Sequence, residues 1–341
     1  MSTAPALNAG STAEHRPRFM AACVTYGIAP LLCLGIIGFL AWTEPRFFSR
    51  LNLLNLSRNF SLLSLVAVGQ AVVMIVGGFD MTVGSGMALA AIVQVSTMNA
   101  LVASFPAAPV VVVCAGGVFA ALVSGAMMGL ANGLVISRFR IVPFMATLAM
   151  MYVVAGGLLY YTKGVPLYGV PDDFVDALGR GTFLDVPLIT WTGLVVSTLM
   201  WILLQFTPIG RHIYAVGGNA HAARASGVST NRVLVFCYLL SALCAALAGI
   251  LWTARLGTGE PTLGSNTAIE SIAAAVLGGV SLRGGSGGVW RVTIAALFLA
   301  LVSNALNLLQ IDSKWQTFVL GLAVIVAVFI EVNARKEHHN E

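Results

Sequence analysis

Few residues in this chain are of a type that does covalent chemistry, and their spacing argues against it. Gly284-Gly285-Ser286-Gly287 fits the GxSG pattern of an intramembrane serine nucleophile, which needs a base, usually histidine, within hydrogen-bond reach. The five histidines (His15, His212, His221, His338 and His339) all fall in tails or loops between apolar runs, so no base accompanies the serine. None of the three lysines (Lys163, Lys314 and Lys336) follows a glycine, so the phosphate-cradling GxxxxGK[ST] loop is absent. The five cysteines (Cys23, Cys33, Cys114, Cys237 and Cys244) lie inside apolar runs without a CxxC pair, where thiols act as small hydrophobes. No metal site, disulfide, cofactor or catalytic residue is therefore expected. What remains is the chemistry of binding and passage: the amides of Gln70, Asn132, Asn304 and Asn307, and the carboxylate of Asp80, all within or beside apolar runs. Uncharged amides suit a passing hydroxylated solute, and equally suit hydrogen bonds between membrane helices.

The elements that hold these groups are membrane helices. The mean hydropathy is +0.91, and 58% of residues are hydrophobic against 9% charged. A soluble domain carries about 25% charged residues, so a water-soluble fold is excluded. The net charge of +5 comes without any basic run interleaved with aromatics, so no nucleic-acid partner is expected. A bilayer core about 30 Å thick needs roughly 20 apolar residues per helix. The apolar runs predict an all-α integral membrane protein of about ten helices, near 21–42, 59–76, 84–102, 109–136, 141–162, 187–206, 233–254, 268–282, 289–309 and 315–332. The first run, 21–42, follows Arg16 and Arg18 and exceeds the ~7–15 residues of a signal peptide's apolar region, so it reads as a retained helix. The chain then divides into a tail 1–20, one transmembrane domain 21–332 and a tail 333–341, with both tails cytoplasmic. That orientation puts eleven of the eighteen basic residues inside, although Arg46, Arg50 and Arg58 together in the first outer loop oppose it.

Two stretches resemble each other 201 positions apart, Gly77-Gly78-Phe79-Asp80-Met81-Thr82-Val83-Gly84-Ser85-Gly86 and Gly278-Gly279-Val280-Ser281-Leu282-Arg283-Gly284-Gly285-Ser286-Gly287, with five of ten residues the same. Each reads as a glycine-rich break between paired helices, of the kind repeat-built transporters use beside the path, or as an ordinary cytoplasmic turn. In the first reading Asp80 interacts with an exposed helix N-terminus. Gly125, Gly129 and Gly133 recur every four residues and so line one helix face, where they admit a close neighbour. The spans hold almost no ionisable groups, whereas an ion-coupled carrier normally needs them. Such a carrier of a small polar solute stays open as the alternative, because backbone carbonyls at unwound helices also bind sodium.

Several segments resemble the permeases of ribose, xylose, arabinose and related ABC importers. They are Gly77 to Ser85, Ala131-Asn132-Gly133-Leu134, Pro143-Phe144-Met145-Ala146-Thr147-Leu148, Gly210-Arg211 through Gly217-Gly218-Asn219, Ala222-Ala223-Arg224, Ser226-Gly227-Val228 and Ala274 to Gly279. The resemblance runs from about Phe47 to Val332 and is specific in the order and spacing of these pieces. It implies about ten helices per subunit, two permease subunits around a central path in the bacterial inner membrane, a cytoplasmic ATP-binding subunit and a periplasmic sugar-binding protein. It does not say which sugar or polyol is carried. The family often has an acidic residue where this chain has His221, so a salt bridge made there to the ATPase does not carry over.

Two loops bear on those partners. Asn219-Ala220-His221-Ala222-Ala223-Arg224-Ala225-Ser226-Gly227 carries an N-cap residue, a core of helix formers and a terminating glycine, which predicts a short helix. Too short to persist alone, it needs a partner surface and is expected to seat in the ATPase, with Arg224 forking onto a carboxylate or carbonyl. The loop 163–186 places Asp172, Asp173 and Asp176 outside, where they are expected to face basic groups of the binding protein.

Overall fold

The computed structural model describes residues 29–312 together with Trp315, Phe318, Gly321, Leu322 and Ile325. Both expected tails, the start of the 21–42 helix and most of 315–332 lie outside the described residues. The helices are α1 (Ala29–Thr43), α2 (Arg50–Ile75), α3 (Val83–Ser104), α4 (Val110–Phe139), α5 (Pro143–Thr162), α6 (Leu188–Phe206), α7 (Pro208–Gly218), α8 (Ala220–Ala225), α9 (Thr230–Leu256), α10 (Thr267–Leu277) and α11 (Val289–Leu308). Among the described residues, β1 (Thr182–Phe183) and β2 (Val186–Pro187) form the one sheet, an antiparallel pair with Thr182 opposite Pro187. Seven helices (α2 to α6, α9 and α11) are long and apolar enough to cross a bilayer, while α1 and α10 are apolar but shorter. The protein is an all-α membrane protein.

The structure moves several expected boundaries. α2 begins at Arg50 rather than near 59, capped by the Ser49 hydroxyl, which accepts from the Asn52 amide at 3.4 Å. Its 26 residues give about 39 Å, so the polar first turns project beyond a core about 30 Å thick. Arg50 and Arg58 are thus helical residues, not loop residues. α10 stops at Leu277 instead of running to 282, because the glycine pair that follows cannot continue it: the Gly279 backbone turns to φ +79°.

α9 is the post on which the rest is hung, packing against α2, α3 and α4. Small residues let these backbones close. A Cβ on Gly129 of α4 would lie 2.7 Å from the Tyr238 carbonyl oxygen and 2.9 Å from the Leu239 Cα. One on Gly69 of α2 would lie 2.9 Å from the Cys244 Cβ. In a bilayer, where lipid tails are as apolar as leucine, such close van der Waals approach is what favours helix pairing. The contacts up α9 also mark depth. Gly133 meets Val235 near its start, Gly86 meets Ala245 at its middle, and Gly179 of the 163–186 loop meets Ala254 at its end.

Gly129→Ala should therefore destabilise the protein by about 1–3 kcal/mol through overpacking, although alanine is the better helix former. Gly156→Ala, whose Cβ meets nothing within 4 Å, should be neutral or slightly stabilising. Heating the detergent-solubilised variants and measuring the monodisperse fraction that survives checks both; equal midpoints would contradict the packing.

Candidate translocation site

The first glycine-rich break is a return of the chain to membrane mid-depth. α2 descends past Gly69, which lies against Ser241 and Cys244, to Ile75, where the Gly285 amide donates to its carbonyl at 2.8 Å. The backbone then reverses at Gly77 and Gly78 and climbs back, so that Asp80 stands level with Gln70. With its amide oriented to satisfy both ends, Gln70 donates to the Asp80 carbonyl at 2.9 Å and accepts from the Asp80 amide at 3.3 Å. The Asp80 carboxylate is fully buried, the only charged side chain so placed among the described residues. Its Oδ1 accepts from the Thr82 amide at 2.9 Å and from the Thr82 hydroxyl, and its Oδ2 accepts from the Ser241 hydroxyl at 2.8 Å. Asn132 donates to the Thr82 Oγ1 at 2.9 Å. The Phe79 carbonyl takes the hydroxyls of Tyr238 at 3.2 Å and Thr147 at 3.1 Å. Groups from α2, α4, α5 and α9 thus satisfy the polar atoms of a buried irregular segment.

The network fixes the start of α3 at the level of the middle of α9. The connection after α9 descends to meet it: Gly259 lies against Ala91 and Val95, and Gly264 lies so close to Gly84 that a Cβ on Gly84 would collide with the Gly264 carbonyl. α10 then starts at mid-depth and, at 11 residues or about 16 Å, runs only half a bilayer toward the α7–α8 end. The N-terminal turns of α3 and α10 therefore approach each other inside the membrane. Beside them opens a cavity of about 190 Å³ lined by Met81, Ser85, Met151, Thr262 and Ser265 among others. Thr262, Ser265 and Asn266 are exposed, and Glu270 is half-buried in the first turn of α10. Exposed polar groups and non-helical backbone at this depth are tolerated only where protein covers them or where they line a water-filled cavity.

At the opposite end of α10, three glycine turns touch. A Cβ on Gly217 of α7 would collide with the Ile75 carbonyl oxygen, Gly284 lies against Gly77, and Gly285, at φ +76°, lies against Gly218. The Tyr214 hydroxyl donates to the Gly287 carbonyl at 3.0 Å. Both glycine-rich breaks are thereby seated on α7. From there the chain turns at Asn219, whose side-chain oxygen accepts from the His221 and Ala222 amides at 3.0 Å each, and forms α8. α8 ends with Val228 N–H donating to Ala223 and Gly227 N–H to Arg224, both at 3.0 Å, around Gly227 at φ +85°. Only Ala223 of α8 is buried; His221, Ala222, Arg224 and the flanking Ser226 and Gly227 are exposed at the tip.

The amides singled out from sequence are distributed unequally. Gln70 and Asn132 belong to the network around Asp80. Asn304 exchanges two hydrogen bonds with Asn52, at 2.7 and 3.2 Å, and so joins α11 to α2. Asn307 is exposed, its amide bonded to the Ser303 carbonyl at 2.9 Å. None of these four lines the cavity; Thr262 and Ser265 do, from the stretch between the apolar runs 233–254 and 268–282. A signal was present, since Thr267-Ala268-Ile269-Glu270 fits the S/T-x-x-E start of a helix eleven residues after α9 ends. In the 163–186 loop, Asp172 and Asp173 are exposed, while Asp176 pairs with Arg180 at 2.7 Å. Phe174 and Val175 anchor that loop by burial. Ser286 is exposed in the second break, and among the described residues no histidine is bonded to it.

The family of permease components of branched-chain amino acid transport systems matches residues 52–328. The chain is 36% identical over 299 residues to the ribose import permease protein RbsC of Haemophilus influenzae, an overlap of 87% of this chain and 90% of that one. It is 38% identical over 289 residues to RbsC of Bacillus subtilis, covering 84% and 87% of the two chains. With the D-allose transport system permease protein AlsC of Escherichia coli the identity is 32% over 309 residues, covering 90% and 91%. No solved structure matches. The chain belongs to this permease family, on the branch of the sugar ABC importers, and is a transport protein rather than an enzyme.

Asp80→Leu leaves the Thr82 amide and the Thr82 and Ser241 hydroxyls without their acceptor. The loss should be about 3 kcal/mol or more, seen as low membrane abundance and early melting. Ser241→Ala, which removes one donor, should cost about 1–2 kcal/mol. Unchanged melting of both in purified protein would contradict a structural role for the carboxylate.

Proposed function

We propose that this permease, paired with a second permease subunit, forms the path by which a sugar or sugar-like solute enters the cytoplasm across the bacterial inner membrane. A periplasmic sugar-binding protein delivers the solute, and a separate cytoplasmic ATP-binding subunit drives alternating access. The observation that carries this reading is the meeting of the α3 and α10 N-terminal turns at mid-depth, around exposed polar groups and directly above the turns that rest on α7. Sugar-importing relatives support the class of solute.

Charge supports the orientation. The α7–α8 end gathers Arg138, Arg140, Arg211, Arg224, Arg232, Arg283 and Arg291 and, among the described residues, no carboxylate. The other end holds Glu44, Asp172, Asp173, Asp176 and Asp185, and also the basic residues Arg46, Arg50, Arg58, Lys163, Arg180 and Arg255. Among the described residues the α7–α8 end leads in basic residues by seven to six, and the orientation proposed from that small excess makes this end cytoplasmic and turns the 163–186 loop to the binding protein. With 21–42, the half-length α10 and 315–332 added to the seven full spans, the chain has about ten membrane segments.

α8 is the coupling element. It offers the ATPase a narrow alanine face and the Arg224 guanidinium, while α7 behind it bears on the end of α2 and on the turn before α11. A shift of the seated hairpin reaches both breaks without passing through a loop. Ion coupling has less to stand on, since the carboxylate of Asp80 is already engaged by three donors from the chain itself.

Uptake into vesicles should require the binding protein and ATP, and vanadate should stop it; uptake that follows an ion gradient instead would overturn the proposal. Replacing Ala222 and Ala223 by Gly together weakens α8 by about 2 kcal/mol. That variant, and separately Arg224→Glu, should lower uptake at least about tenfold while the subunit stays in the membrane and ATP hydrolysis becomes independent of the binding protein. Normal uptake and normally stimulated ATPase in both would remove α8 from the mechanism.

A further inference from the structure

At the arginine-rich end the last turns of α4 and the first turns of α9 lie beyond the close contact of Gly133 with Val235. They leave an open groove of about 450 Å³. Its walls are Leu134 on one side and Val235, Phe236 and Leu239 on the other, and its mouth carries Arg138 and Arg232. Each arginine sits about one helical turn from the wall residues, toward the end of the molecule, so both guanidiniums stand at one depth. Both are exposed. The ion pairs of Arg50 with Asp185 and of Arg180 with Asp176 lie elsewhere, and among the described residues no carboxylate at this end answers Arg138 or Arg232.

We propose that this groove is a binding site for one anionic phospholipid, its phosphodiester held between Arg138 and Arg232 and one acyl chain laid along Leu134, Val235 and Leu239. Two like charges at one mouth, beside a low-dielectric wall, repel each other until an anion lies between them. The guanidinium fork matches phosphate oxygens two at a time. The apolar walls decide the source of that phosphate. A free inorganic anion would satisfy the arginines and leave the walls empty, whereas a lipid fills both, and the arginines stand at the boundary where lipid headgroups lie. A choline headgroup carries its own cation and gains less from the pair.

Native mass spectrometry of the whole transporter, released from a micelle with equal phosphatidylglycerol and phosphatidylcholine, tests this. The wild-type permease should retain phosphatidylglycerol with a preference on the order of tenfold. Arg138→Gln with Arg232→Gln should bring the preference to near parity, and Arg138→Lys with Arg232→Lys, which keeps the charge if the Gln pair fails to fold, should hold most of it. Excess inorganic phosphate should not displace the lipid. Parity in the wild type overturns the proposal, and so does displacement by phosphate, which would mark a free-anion site. Efficient disulfide formation between two copies of Phe236→Cys in the assembled transporter would also overturn it, by showing that a second permease covers the groove.

Discussion

In a bilayer every backbone amide and carbonyl must find its partner within the protein, and a transporter must nonetheless interrupt its helices to make a path. The segment after Ile75 meets both demands through one carboxylate. Asp80 turns its backbone to Gln70 and its side chain to Thr82 and Ser241, while the preceding carbonyl, that of Phe79, is taken by Tyr238 and Thr147. Four helices contribute to closing this account. Remove the carboxylate and Thr82 and Ser241 lose their acceptor, leaving Gln70, Tyr238 and Thr147 alone to hold the return of the chain.

From that anchor the rest of the path follows. α3 starts where the network ends, the Gly264 turn is set against Gly84, and α10 is left with half a bilayer to cross. The polar residues before α10 are therefore brought into the membrane by backbone contact between glycines, not by any polar attraction of their own. At the α7–α8 end the same device recurs. Gly217 and Gly218 of α7 meet Ile75 and Gly285, so the helix behind the element proposed to receive the ATPase stroke touches both glycine-rich breaks. Close glycine contacts transmit displacement well, because no flexible side chain lies between the backbones to absorb it.

What sequence revealed and what it hid divide by range. α8 was readable in detail, since Asn219, the alanine run and Gly227 encode both caps within nine residues. Glycine marked where the breaks fall, and the stripe at Gly125, Gly129 and Gly133 marked a close contact. Depth was not readable. The turn at Gly264 looks like any outer loop until Gly84, 180 residues earlier, is seen against it. The amides show the same limit. Asn304 is conspicuous as a polar residue in an apolar run, but its partner Asn52 precedes the apolar run 59–76 and is helical only because α2 starts at Arg50. Gln70 and Asn132 were noticed for their type, while their partners, the Asp80 backbone and Thr82, depend on the chain doubling back. Local rules place helices and caps; a membrane protein's path is set by which backbones are allowed to touch.

The central claim is that the turn before α10 lies at mid-depth and faces an aqueous path. In a chain with its five native cysteines replaced, assembled with its ATPase and carrying Asn266→Cys, labelling by a charged, membrane-impermeant thiol reagent reads this directly. The thiol should react, from opposite sides of the membrane in nucleotide-free and ATP-trapped states, and transported solute should slow the reaction. A thiol that resists the charged reagent in every state, yet reacts with a lipid-soluble maleimide, would place Asn266 against lipid and contradict the path described.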